Sequence, residues 1–403
     1  MKNLVKTIRI ISSKSDAHRA LICAALSKDR CRVRYTGTSK DIEATQRCLC
    51  ALKQDRSDMH CGESGSTLRF LLPVMGALGH KAVFHMEGRL PQRPLSPLYE
   101  ELEAHGCTLS PQGQSPLTIE GQLQPGTYRL PGNVSSQYVS GLLFALPLLD
   151  GNSQIQLTSP LESASYVDMT VDTLADFGIS IEKIADGYAI AGNQTYIAPK
   201  DYIVEGDWSN ACFFLAAGAL VEGGIKVTGL NPDSLQGDKA ILDILREMGA
   251  EAVFEEDAIA VIPGKVLRGT TIDVSQIPDM TPILSVLAAA AEGTTEIRNA
   301  GRLRIKESDR LAAITETLTA LGGQIEELPD GLIITGSGTL KGGIINTHND
   351  HRIAMMATVA SLICDEKVLL YGADAVEKSY PDFFAVCRKA GLDYNLRVER
   401  DFV

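Results

Sequence analysis

Nowhere in the 403-residue sequence does an apolar run approach the ~18 residues of a membrane span. The opening MKNLVKTIRIISSKSD is broken by charge before the apolar stretch of a signal peptide could form. A cytoplasmic protein without a membrane partner is the expectation. Cysteine pairs spaced C-x-x-C are missing too. The nine cysteines are odd in number, and Cys23, Cys212 and Cys364 lie within apolar runs, so they read as reduced thiols. No metal and no other cofactor is expected. Positive charge is in deficit: a formal net charge of −12 argues against non-specific nucleic-acid binding, which needs a basic stripe. It leaves anionic small molecules open, because a local basic cleft can sit inside an acidic protein. The common catalytic fingerprints are also absent. CGESGST is not a Walker phosphate loop, no G-x-G-x-x-G follows a strand, and neither G-x-S-x-G nor H-E-x-x-H occurs.

What is present is a hydrophobic fraction of 44%, spread over enough chain for two or three domains with substantial cores. Six segments lead from a short polar stretch into ten or more small and apolar residues, starting at Ser13, Glu63, Asn133, Gly206, Ile277 and Asn349. The starts are 50, 70, 73, 71 and 72 residues apart. An amphipathic helix pattern follows each, ending from the second unit onward in Gly106, Gly178, Gly249, Gly322 and Gly391, each suited to the left-handed position that stops a helix. After four of these glycines come two alternating runs around a polar turn, such as AEAVFEEDAIAV and GQIEELPDGLIITG, which predict β-hairpins. A helix that is apolar all round must be enclosed. The pattern therefore predicts an α/β protein of two lobes, each built around a group of three buried helices. A boundary is expected near residues 200–205.

A helix start carries a partial positive charge, so acidic residues belong there and cations are mildly unfavourable. These starts break the rule, with Lys14 and Arg19 in the first unit, Arg69 in the second, and His351 and Arg352 in the sixth. The segment LRIKESDR is read as a helix opening that puts Lys306 and Arg310 one turn apart on one face, with Glu307 beside Lys306 as a candidate ion pair. Arg89, Arg93 and Lys378 lie on connecting loops. Together they predict a cleft that gathers polyanions. The third unit has Ser135, Ser136 and Gln137 instead, with Ser163 near the next helix start. Hydroxyls with helix N–H groups suit a phosphate. Asp279, in IPDMTP, is either a helix N-cap or a catalytic carboxylate. With Glu307 it would form a proton acceptor and donor pair, their pKa values set apart by neighbouring Lys and His.

The segments SSKSDAHRALICAAL, GESGSTLRF, RLPQRP, NVSSQY, EGDWSNACFFLAAGAL, IPDM, RIKESDRL, NDHRIAMM and EKSYPDFF, in this order, resemble the 5-enolpyruvylshikimate-3-phosphate synthase family of enolpyruvyl transferases. The resemblance implies two lobes, each of three βαβαββ repeats around buried parallel helices, an inside-out α/β arrangement. One lobe would comprise residues 1–12 and 204–403, the other residues 13–203, with the active site in the cleft between them. It implies transfer of the enolpyruvyl group of phosphoenolpyruvate to the 5-hydroxyl of shikimate 3-phosphate, by a monomer without a cofactor. Shikimate 3-phosphate would be held by Lys14, Ser15, Arg19, Ser135, Ser136, Gln137, Ser163, Asp279 and Lys306. Phosphoenolpyruvate would be held by Lys14, Gly65, Arg93, Gln137, Arg310, Arg352 and Lys378. Asp279, Glu307, Lys14, Lys378 and His351 would form the catalytic group.

The family pattern is not followed everywhere. Ile11-Ser12-Ser13 replaces the usual Pro-Gly-Ser, Glu63 stands for Asn, Ser66 for Thr and Phe70 for the frequent Pro. Glu63 would either pair with a nearby Lys or Arg or weaken anion binding. Two other readings stay open: enolpyruvyl transfer to UDP-N-acetylglucosamine, for which the cysteine normally found in an Arg-rich loop is missing from EGRLPQRP, and a non-catalytic anion-binding relative, which would not require both carboxylates.

Overall fold

The computed structural model describes residues 6–392 and 395–399. The chain divides into two compact units, one formed by Met1–Ser13 with Glu205–Val403 and the other by Lys14–Val204. Helices alternate along it in the predicted rhythm: α1 (Lys14–Leu26), α2 (Lys40–Lys53), α3 (Gly65–Leu78), α4 (Leu98–Ala104), α5 (Ser136–Ala145), α6 (Ala164–Asp176), α7 (Trp208–Leu220), α8 (Ile241–Met248), α9 (Thr281–Ala290), α10 (Arg310–Ala320), α11 (His351–Ala360) and α12 (Phe383–Lys389). The odd-numbered helices are the apolar segments of the sequence, and from α3 onward they are buried along nearly their whole length. Only α1 departs, with one face intermediate in exposure. Within the discontinuous unit α7, α9 and α11 pack against one another. In the Lys14–Val204 unit α3 packs on α5, while α1 lies chiefly against α2 and α6.

Small residues make these contacts possible. A Cβ placed on Gly141 of α5 would run into the Arg69 carbonyl of α3 and come within 3.2 Å of Pro73, so the two backbones approach as closely as glycine permits. The five glycines expected to end the even-numbered helices all have positive φ, from +65° at Gly391 to +105° at Gly249. All four predicted hairpins form, pairing Cys107–Leu109 with Leu117–Gly121, Ile181–Ile184 with Gly187–Ile190, Glu251–Phe254 with Ala258–Ile262, and Gln324–Leu328 with Gly331–Ser337.

Each hairpin completes a four-stranded sheet of the same order. A parallel pair of strands is joined through a buried helix, and the second of them pairs antiparallel with the hairpin, giving βαβαββ. None of the sheets among the described residues closes into a barrel. In the fourth repeat the first strand is drawn from the beginning of the chain: Lys6–Arg9 runs parallel to Ile225–Thr228. The strand immediately before α7, Asp201–Ile203, instead pairs with Arg32–Arg34 of the first repeat. The first and sixth repeats are abbreviated among the described residues, the sixth ending in a three-stranded parallel sheet without a hairpin. No described helix is long and apolar enough to cross a membrane.

Candidate active site

In the discontinuous unit the starts of α9, α10 and α11 converge on one network of charges. Asp350 caps α11, accepting from Arg352 N at 2.9 Å, as acidic N-caps do. Fully buried, it also accepts from Arg310 Nε at 2.8 Å and from Ser308 Oγ at 3.0 Å. Arg310, the first residue of α10, also donates to Asp350 Oδ1 at 3.3 Å, to Asp279 Oδ1 at 2.8 Å and to Glu307 Oε2 at 2.6 Å. Arg352 donates to Asp279 Oδ2 at 3.3 Å, to the Asp279 carbonyl at 3.2 Å and to Ser209 Oγ at 2.7 Å. Lys306 Nζ stands 3.4 Å from Asp279 Oδ1. Asp279 is thus the meeting point of three cations, two from the LRIKESDR stretch that leads into α10 and one from α11. It is not an N-cap: it lies within the short 3-10 turn Pro278–Met280, and Met280 occupies the cap position of α9.

LRIKESDR does not open a helix as expected. A 3-10 turn covers Gly301–Ile305, and α10 begins only at Arg310, capped by Asp309. Asp309 competes for the backbone N–H of Ala312, which fixes the start there. Lys306 and Arg310 are therefore not on one helical face, and Glu307 pairs with Arg310. Lys378 donates to the Asn349 carbonyl at 2.6 Å, and His351 Nδ1 lies 3.8 Å from Asp350 Oδ1, too far for a hydrogen bond. His348 and Asn349 both hold positive φ, a conformation non-glycine residues seldom adopt, and the resulting turn delivers Asp350, His351 and Arg352 together.

The proton affinities follow from this packing. Burial alone would raise the Asp279 carboxyl, yet Arg352, Lys306 and Arg310 hold it well below the usual carboxylate range, against Glu307. Burial pushes Lys306 down to about 8; Asp279 opposes the fall, and Arg310 and Arg302 add to it. Burial likewise acts to lower Arg310, but Asp350, Glu307 and Asp279 leave it above its ordinary value.

In the Lys14–Val204 unit the cations find different company. Lys14, the first residue of α1, pairs with Asp41 of α2 at 2.8 Å. Arg19 donates to the Ser15 carbonyl at 2.5 Å, the Tyr166 carbonyl at 2.6 Å and Thr170 Oγ1 at 2.9 Å, and lies over the Phe70 ring. Tyr166 follows closely on Ser163, which starts α6 in a left-handed conformation. Ser135 caps α5 by accepting from Gln137 N, leaving Ser136 as the first helical residue. The Gln137 side chain then joins two segments, accepting from Arg69 at 3.0 Å and donating to Ser66 Oγ at 2.9 Å. Gly65 touches the same group: a Cβ there would stand 2.6 Å from the Arg69 guanidinium and 3.0 Å from that of Arg93. Glu63 folds its carboxyl over Gly88, where φ is +55° and a side chain would collide with it.

Ser15 with Arg19 and Ser163, and Gly65 with Arg93 and Gln137, thus form two groups in this unit; Asp279, Lys306, Glu307, Arg310 and Arg352 form a third in the other. The sequence reading missed Asp350 and Ser308, although an Asp directly before the His351-Arg352 helix start is an N-cap signal. It named Arg69 as a cation but not as the partner of Gln137. Among the described residues no group of three or more His, Cys, Asp or Glu side chains is arranged to hold a metal ion.

A family model described as EPSP synthase (3-phosphoshikimate 1-carboxyvinyltransferase) matches residues 1–60 and 54–387. The 3-phosphoshikimate 1-carboxyvinyltransferase of Clostridium kluyveri is 46% identical over 95% of this chain and 94% of its own length. That of Clostridium acetobutylicum is 45% identical over 96% and 95%. The solved structure of EPSP synthase from Acinetobacter baumannii superposes with a TM-score of 0.77 at 26% identity, covering 96% of this chain and 95% of that one.

Proposed function

The chain belongs to the EPSP synthase family, and on that footing we propose how its residues share the work of the reaction, in which the enolpyruvyl group of phosphoenolpyruvate passes to the 5-hydroxyl of shikimate 3-phosphate and phosphate leaves. The hydroxyl oxygen must lose a proton as it bonds to C2 of phosphoenolpyruvate, and the methylene must gain one. The tetrahedral intermediate then expels phosphate and gives the methyl proton back. Asp279 accepts the hydroxyl proton, and Glu307 supplies the methylene proton and recovers it on elimination. Lys14 and Lys378 stabilise the intermediate and the departing phosphate, and His351 adds to the local field from beside Asp350.

The observation that carries this reading is the convergence of Lys306, Arg310 and Arg352 on Asp279. A carboxylate so held stays ionised, and it is a weak base while all three cations face it. Arg310, Arg352 and Lys378, with Lys14, Gly65, Arg93 and Gln137, take phosphoenolpyruvate. Its anionic groups then compete with Asp279 for those arginines and raise the basicity of Asp279 at the step that needs it. Shikimate 3-phosphate is held by Lys14, Ser15, Arg19, Ser135, Ser136, Gln137, Ser163, Asp279 and Lys306. The reading describes a cytoplasmic monomer.

The test is phosphate release on mixing the protein with phosphoenolpyruvate and shikimate 3-phosphate, with UDP-N-acetylglucosamine as the control acceptor. Release is expected with the shikimate substrate alone. Asp279→Asn and Glu307→Gln are each expected to lower kcat by roughly 10²–10⁴-fold with smaller changes in KM. A near-normal kcat in either would remove that residue from its role.

A further inference from the structure

A chain of four polar side chains runs through the interior of the Lys14–Val204 unit, linking α1, α2 and the start of α3. His18 Nδ1 lies 2.7 Å from Thr45 Oγ1, Thr45 Oγ1 lies 2.6 Å from Thr67 Oγ1, and Thr67 Oγ1 donates to Ser64 Oγ at 2.7 Å. All four residues are at most 1% exposed. Ser64 is the N-cap of α3, and its oxygen also accepts from Thr67 N.

The last bond fixes the direction of the rest. If the Thr67 hydroxyl hydrogen goes to Ser64, Thr67 must accept from Thr45, whose own hydrogen is then spent, so Thr45 must accept from His18. His18 is therefore the neutral tautomer carrying its proton on Nδ1. Burial together with Lys14 and Arg19 holds its pKa well below the ordinary histidine value, which keeps it neutral. Its Nε2 is buried and has no hydrogen-bond partner among the described residues. The ring meets Phe70 edge-on at 6.5 Å. A leucine would fill such a place without stranding a polar atom, so the imidazole is there for what its Nδ1 does.

We propose that His18, Thr45 and Thr67 are positioning residues, an oriented line of hydrogen bonds that holds the Ser64 cap and so sets the first turn of α3, with Gly65, against the Lys14 and Arg19 end of α1. The inference rests on the reading above that Gly65 and its neighbours receive phosphoenolpyruvate. Thr45 and Thr67 lie one on each of two helices, and Ser64 and Gly65 are adjacent, so a break in the line lets the cap turn away and loosens the anion-facing N–H groups of that turn.

The test separates substrates. Thr67→Val and Thr45→Val keep shape and remove the hydroxyl, and His18→Leu removes the first donor. Each is expected to raise KM for phosphoenolpyruvate about five- to tenfold while kcat and KM for shikimate 3-phosphate stay within about twofold, the effect of one lost hydrogen bond. The amide nitrogen of His18→Asn stands where Nδ1 stood, so this variant is expected to restore the KM for phosphoenolpyruvate. Unchanged KM in the folded valine variants, equal rises in both KM values, or failure of His18→Asn to do better than His18→Leu would each overturn the proposal. Gly65→Ala is the separate control: if it leaves KM for phosphoenolpyruvate unaltered, the placement of that substrate is wrong, whatever the line of hydrogen bonds does.

Discussion

Arg310 and Arg19 are both buried arginines near the starts of helices, one in each unit, yet their surroundings drive them in opposite directions. Arg310 faces Asp350, Asp279 and Glu307, and these outweigh burial and raise its pKa. Arg19 donates to two carbonyls and a hydroxyl, and burial pushes it down to about 10, with Asp16 only partly resisting. The first charge is balanced inside the protein. The second donates to neutral oxygens and is still protonated at neutral pH. The same residue type is thus shifted in opposite directions in the two units, and the partner, not the arginine, decides which.

The comparison can be broken most directly at Arg310. Arg310→Met leaves buried Asp350 and its neighbours uncompensated, and denaturant unfolding should show a loss of about 3–5 kcal/mol. Arg19→Met strands no carboxylate of that kind; if its loss is as large, the difference in partners is not what separates the two. A smaller effect is expected from Arg19→Met on substrate: KM for shikimate 3-phosphate should rise by roughly 10–100-fold, the scale of one or two hydrogen bonds to a charged group. An unchanged value would put the phosphate elsewhere. The smallest effect concerns Lys306, which is charged below about 8 and neutral above it. Because its side chain is 26% exposed, water screens the charge, and KM for shikimate 3-phosphate should rise only about fivefold as pH passes through that value. Lys306→Arg, which stays protonated, should flatten the rise; a wild-type profile without one would deny Lys306 its contact with the substrate.

Much of the scaffold is legible in the sequence because it is local. A glycine after an amphipathic helix needs only its own backbone freedom to act, and the hairpins need only alternation around a turn. What escapes is whatever depends on partners distant in sequence. Asp350 meets Arg310 from 40 residues away, and Arg352 meets Asp279 from 73. No periodicity announces those pairs. In LRIKESDR the cations suggested a helix face, but Asp309 caps α10 and moves its start to Arg310; Lys306 and Arg310 still reach Asp279, by a turn rather than along a helix. The sequence leaves open whether Glu63 pairs with a cation or weakens anion binding, and that its carboxyl lies across the backbone of Gly88 only a structure reveals. The family resemblance supplied roles for residues whose physical linkage, Gln137 to Arg69 and Ser66 above all, the sequence alone leaves invisible.

The pairing of Lys6 with Ile225 has a bearing on how the protein is made. As the chain leaves the ribosome, Lys14–Val204 has all of its own partners once Asp201–Ile203 emerges to meet Arg32–Arg34. The strand Lys6–Arg9 has none until Ile225–Thr228 follows, a wait of roughly 10–45 s from its own synthesis at ~5–20 residues per second. During that wait its backbone N–H and C=O groups lack the β partner they have in the folded chain, the condition that leaves a segment open to pairing with other chains. The strand carries a charge at each end, Lys6 and Arg9, the kind of residue that discourages edge-to-edge pairing.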